Sequence, residues 1–403
     1  MFARTGLIFV SKNSSAASAG KHSAAQIALK RLQVDCKVPS GSSEFYTIPC
    51  WKDLIGGTSL RERLAVLPKD ALSSSRPVKQ PALLLLAAVA LCQNANHLPK
   101  PGVATPGVRI PIARLKPLAV FPVAGAPDWI AVDESVWISN YPKDRVTRLD
   151  AKTNQVAATI PTGKQPCSGL AVGFGSLWVP SCGDHNLARI DLKTGKLTAT
   201  VPVSVADSEG GIAAGASSIW LLTDGLSTLA RVDPDTNRVV AEIRVAAGSF
   251  TVALGEGAVW VTSTSNNLLT RIDPLTNLIV ETITVGKSPR FLAVGEGAVW
   301  VLNQGDGSVS RVDPKTNKVV ATIQVEVPGP GGDIAPGEGS VWVTSFDFPI
   351  SRIDPSSNRV VQQFTGDGGD AIRVGLGSVW LSNLRAQNVW RIDPKRIQAT
   401  LPD

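Results

Sequence analysis

The sequence predicts an all-β fold, a seven-bladed β-propeller of four-stranded antiparallel blades behind a poorly structured N-terminal extension. Three observations in the 403 residues lead there. Trp137, Trp178, Trp220, Trp260, Trp300, Trp342 and Trp380 recur every 38–42 residues, each after Val, Leu or Ile. An Arg follows each Trp ten or eleven residues later and opens an Arg-(Ile/Val/Leu)-Asp tripeptide. Each interval holds four short β-rich runs parted by turn residues, a pattern of all-β repeats that excludes helix hairpins. Seven such units of about 40 residues describe a wheel whose blades pack radially and leave no long edge exposed, so a monomer is expected.

Residues 1–77 show no sustained period and are rich in Ser, Ala, Lys and Arg, which predicts a disordered or non-native extension. Residues 78–96 change character. Basic Lys79 precedes the run from Ala82 to Cys92, and polar Gln93, Asn94 and Asn96 follow. About ten apolar residues are too few to span a bilayer, where about twenty are needed, and they match the core of a secretory signal. A translation start at Val78 would place that signal at an N-terminus. The expected address is periplasmic or extracellular. Residues 97–115 read as a linker and 116–403 as the propeller.

Charge follows the same division. Residues 1–114 contain fifteen Lys or Arg and five Asp or Glu, so the +7 net charge of the chain leaves the propeller at −3. Nucleic-acid binding is therefore not expected, because it needs clustered cations that displace counterions. A hydrophobic content of 43% with 18% charged residues excludes a wholly disordered chain and a coiled coil.

Within a unit, best seen from Leu292 to Val325, Gly-Glu-Gly before the Trp reads as a two-residue hairpin turn, and Asp-Pro-Lys-Thr-Asn as a turn closed by an Asp side chain. Counting outward from the Phe174-Gly175 turn sets Trp178 opposite Ala171, and counting from the next loop sets it opposite Arg189. Each Trp should thus lie under its Arg on one sheet face, in a cation–π contact worth roughly 0.5–2 kcal/mol. Sevenfold repetition marks these residues as blade packing. For closure, Leu118–Val123 and Ile397–Leu401 compete for the outer edge of the last blade, and the N-terminal strand is preferred.

The run Val-Trp-Val followed by Arg-Val-Asp-Pro-Lys-Thr-Asn-Lys-Val-Val-Ala-Thr-Ile, at residues 299–323, resembles the YVTN-type and streptogramin (virginiamycin B) lyase-like families of bacterial propellers. The resemblance extends over residues 118–401 and implies a seven-bladed fold with two functions on offer, an exported binding protein or a metal-assisted lyase. The lyase machinery implied by that likeness uses His and Glu with a divalent metal at the channel mouth. The propeller of this chain holds one His, His185, so no catalytic residue is carried over.

Function in a propeller belongs where the repeats differ, at the loops of one face and the mouth of the channel. The positions before each inner strand select Asp128, Trp129, Glu209, Phe250, Arg290, Phe291, Asp333 and Asp370 as ligand-binding candidates. They describe an acidic mouth with exposed aromatic rings, suited to a cation, a basic peptide or a sugar. Cys167 and Cys182 are equidistant from the Phe174-Gly175 turn and are expected opposite one another in a disulfide, consistent with export. The expected function is non-enzymatic binding of a protein, peptide or small ligand at this mouth, with no cofactor and no stable membrane span. The alternative is a metal-dependent lyase or lactone hydrolase using carboxylates such as Glu209, Asp333 and Asp370, and it would bring a divalent metal.

Overall fold

The computed structural model describes residues 34–39, 45–50 and 102–399, apart from 142, 143, 168 and 224. The chain divides into two compact units, Met1–Leu91 and Cys92–Asp403. In the first, Val34–Pro39 and Phe45–Cys50 pair as an antiparallel hairpin, within a stretch where the sequence pattern suggests little fixed structure. The signal-like segment 78–96 lies outside the described residues.

The second unit is the propeller, seven sheets in which consecutive strands run from the channel outward. The inner strands are Ala126–Val132, Ala171–Gly173, Ile212–Gly215, Ser249–Gly255, Pro289–Gly295, Asp333–Gly337 and Ile372–Gly375, for blades one to seven. Each meets the strand that carries the Trp across a tight turn. In Gly-Glu-Gly both central residues have positive φ, as at Glu256 (53°) and Gly257 (70°), which matches the twist of the hairpin.

The register is the one that the repeat arithmetic gives. Trp178 pairs with Ala171 on one side and Arg189 on the other, and the Trp–Arg opposition recurs in every blade. All seven Trp side chains are buried, and each guanidinium lies 4.9–5.8 Å from its indole ring. The Arg also reaches the next blade. Nη1 of Arg231 donates to Pro274 O and Asn277 Oδ1, and Arg189, Arg271 and Arg311 make the same pair of bonds one blade further on. The Asp-Pro-x-Thr-Asn turn is therefore a socket as well as a turn, its Asn both adopting positive φ and accepting the neighbour's Arg.

Closure follows from the same parts. Ala119–Pro122 pairs antiparallel with Asn388–Ile392 as the outer strand of blade seven, so the N-terminal strand closes the wheel. Arg391 of blade seven then donates to Ala151 O and Asn154 Oδ1 of blade one. Ile397 and Gln398 of the competing C-terminal segment instead end a short helix, Pro394–Gln398, capped by the Asp393 side chain on Lys395 N. Pro394 at its first turn fixes φ for a helix, and the sequence reading missed that. Part of the 97–115 segment, expected as a linker, is structured too, because Arg109–Pro111 adds a parallel fifth strand to blade six.

Candidate functional site

A channel of about 440 Å³ runs between the inner strands. At the end where those strands begin, residues from six blades meet. Irregular backbone puts them there. In blade one Asp128 and Trp129 together oppose Ser139, in blade four Phe250 and Thr251 oppose Thr262, and in blade five Arg290 is an extra residue between paired neighbours. Each is a β-bulge, which turns side chains out of the regular alternation. The hydroxyl across the bulge then pins it: Trp129 N donates to Ser139 Oγ (2.7 Å), and Thr251 N to Thr262 Oγ1 (3.1 Å). Those hydroxyl positions also tie adjacent blades, since Thr262 Oγ1 donates to Arg290 O (2.9 Å) and Ser382 Oγ to Asp128 O (3.2 Å).

All eight candidate residues are brought together. Arg290 Nη2 of blade five reaches Glu209 Oε1 of blade three across the axis, at 3.1 Å. Its guanidinium lies 4.2 Å from the centre of the Phe250 ring and 5.2 Å from that of Phe291. The Phe291 ring in turn is 5.9 Å from Trp129 of blade one. Blades one and five are not neighbours in the wheel, so this contact spans the channel and plugs it. Trp129 is only 6% exposed and Phe291 is fully buried, which corrects the expectation of exposed rings. Rings on the axis face one another as well as solvent, and apolar contact wins.

The acids surround this plug. Asp333 is buried, accepts from Ile334 N (2.8 Å) and Ile372 N (3.0 Å), and is paired with Arg373. Burial nevertheless pushes its carboxyl up to about 6 against the pull of Arg373. Burial likewise pushes Glu209 up to about 7, opposed by Arg290 and reinforced by Asp128, Asp333 and Asp207. Asp370 is 6% exposed and hydrogen-bonded to Asp128. Burial first, and then the charges of Asp128 and Glu209, hold Asp370 far above the carboxylate range, so it is protonated at neutral pH. Asp370 Oδ2 has no hydrogen-bond partner.

The sequence reading missed Arg373. It sits opposite Trp380 at the register where the other six blades carry Ala131, Ala171, Ala213, Ala253, Ala293 and Ala335. One Arg among six Ala at a fixed repeat position is the signal that would have found it. Its guanidinium stacks 4.2 Å from the Trp129 ring and carries a second positive charge into the mouth.

Cys167 and Cys182 are joined in a disulfide, with Cα atoms 5.2 Å apart. They lie diagonally and not directly opposite, because the register slips there: Cys167 N donates to Pro180 O and Cys182 N to Gln165 O. The bridge lies just before Gly169, where a Cβ would come within 3.3 Å of the backbone oxygens of Ser208 and Glu209. His185 is exposed on a loop of blade two. Among the described residues no three His, Cys, Asp or Glu side chains are grouped so as to hold a metal ion. The donor set thus does not fit the metal that the lyase resemblance implies.

No family model and no curated protein matches the sequence. Solved structures do match the fold. A streptogramin B lyase structure superposes with a TM-score of 0.58 at 21% identity, covering 68% of this chain and 95% of that one. Virginiamycin B lyase from Staphylococcus aureus gives 0.58 at 18% identity, with 68% and 97% covered. Hydrazine synthase from Kuenenia stuttgartiensis gives 0.58 at 15%, with 66% and 95% covered. At these identities the likeness is one of fold: this chain is a seven-bladed propeller similar to the virginiamycin B lyases.

Proposed function

We propose that this protein is an exported, non-enzymatic binding propeller that takes a small organic cation, or a basic side chain of a peptide, at the plugged acidic mouth. One observation carries the reading. Asp370 is buried and hydrogen-bonded to Asp128, burial and the neighbouring carboxylates push its carboxyl far up, and its Oδ2 lacks a partner. The two guanidiniums nearby are already engaged, Arg290 with Glu209 and Arg373 with Asp333. A ligand ammonium or guanidinium that displaces the Asp370 proton would leave two carboxylates paired to it, which a buried charge requires. The signal-like segment and the disulfide support an address outside the cytoplasm.

The expected outcome is a rise in melting temperature with agmatine that grows from pH 6 to pH 8 and is lost in Asp370→Asn. A melting temperature indifferent to agmatine at both pH values would overturn the reading. Stabilisation by Mg²⁺ that a chelator reverses would point to the lyase alternative.

A further inference from the structure

The mouth contains a caged guanidinium, and it is the protein's own. The Phe250 and Phe291 rings stand at 87° to one another with centres 5.7 Å apart, and the Arg290 guanidinium lies over both. Glu209 Oε1 closes a third side at 3.1 Å from Nη2. Two aromatic faces and a carboxylate suit a planar guanidinium, which stacks through its face and donates from its edge. An ammonium is more strongly hydrated and has no face to stack, so it fits such a cage less well.

The walls do not depend on their occupant. Phe250 O accepts from Ser208 Oγ, and the bulge behind that ring is pinned by Thr251 N on Thr262 Oγ1. Phe291 is backed by Trp129. The occupant itself is held loosely. Thr262 Oγ1 fixes the backbone of Arg290, but the side chain makes a single ion pair, is 25% exposed, and has a buried Nε with no acceptor. The Arg residues between blades are better served: Arg189 and Arg231 each donate from Nε to a Ser hydroxyl and from Nη1 to a carbonyl and an Asn. An unpaired buried N–H costs free energy, which moving out to water recovers. At the equivalent position the other blades carry Asp128, Ser168, Gly210, Phe250, Gly332 and Asp370, so blade packing does not call for a basic residue here.

We infer that Arg290 is a self-ligand of the mouth: its side chain fills a guanidinium site walled by Phe250, Phe291 and Glu209, and swings out to solvent when a ligand guanidinium enters. This rests on the reading of the mouth as a cation site and adds an orientation to it, with the ligand's guanidinium in the cage and its ammonium at Asp128 and Asp370. A guest then binds with an affinity reduced by the fraction of molecules in which the cage is empty, so Arg290 sets the threshold of the mouth by competition.

The test compares agmatine with putrescine, which has the same chain and the same charge but an ammonium in place of the guanidinium. Both are titrated calorimetrically at pH 8 into the native chain, Arg290→Ala, and Arg290→Ala with Glu209→Gln. Arg290→Ala should bind agmatine at least tenfold more tightly than the native chain does. Putrescine should gain less than threefold, because it profits only from the lost repulsion. Adding Glu209→Gln should remove the agmatine gain. Arg290→Gln serves the same purpose if the Ala variant fails to fold. No agmatine binding by the variant, affinity equal to that of the native chain, an equal gain for putrescine, or a gain that survives Glu209→Gln would overturn the inference. Asp370→Asn separates it from the reading it rests on: agmatine binding indifferent to that substitution contradicts the reading, while the gain in Arg290→Ala reports on the cage alone.

Discussion

Asp370 holds its proton at neutral pH because its carboxyl is buried beside the charges of Asp128 and Glu209, and the consequence is a particular dependence of stability on pH. Glu209, Asp333 and Asp370 all have folded values above their unfolded ones near 4. Folding therefore takes up protons at these sites. Their contribution is full below the unfolded values and is lost as pH rises through about 6 for Asp333 and about 7 for Glu209, and higher for Asp370. Between pH 5 and 8 the melting temperature should fall, and Asp370→Asn should fall less, as scanning calorimetry at several pH values would show. An unchanged slope in the variant would contradict the protonated assignment. The candidate residues were legible because the repeats differ at and just before the start of each inner strand. Arg373 was equally visible in principle, but it hides inside a strand whose other copies are Ala. That the rings are buried was not legible, since the sequence does not say which side chains meet across an axis.

The Trp–Arg–Asn clasp decides how firmly neighbouring blades hold together. Arg231 bonds to Pro274 O and Asn277 Oδ1, whereas Arg148 faces a blade whose turn carries Gly195 in place of the Asn and is held by Ser135 Oγ in its own blade. Arg231→Ala should therefore cost about 1–2 kcal/mol more than Arg148→Ala in denaturant unfolding, because only it strands the accepting Asn and carbonyl. Equal costs would mean that the cation–π contact alone carries the effect. The period of Trp and Arg gave the strands and their register directly, because opposite residues are fixed by counting from a turn. The socket role of the Asn was not legible, since it joins residues 46–48 apart on different blades. The disulfide closes a separation of 15 residues, for which the chain-entropy argument gives up to about 3 kcal/mol. Cys167→Ser with Cys182→Ser should lower the melting temperature and weaken agmatine binding, because the bridge lies just before Gly169, which approaches the backbone of Glu209.

At the scale of the whole wheel, the strand Ala119–Pro122 covers the outer edge of blade seven, and Arg391 locks blade seven to blade one. A chain starting at residue 124 exposes that edge and should associate or aggregate, whereas one starting at 102, which also keeps the Arg109–Pro111 strand on blade six, should elute as a single species in size-exclusion chromatography with light scattering. The central claim concerns the mouth that this closure assembles, where carboxyls from blades one, three, six and seven converge with two guanidiniums. Titrating agmatine at pH 7 in two buffers of different ionisation enthalpy measures it most directly. The account predicts release of close to one proton per agmatine bound, lost in Asp370→Asn. Binding with no proton release, or release unaltered by that substitution, would contradict it.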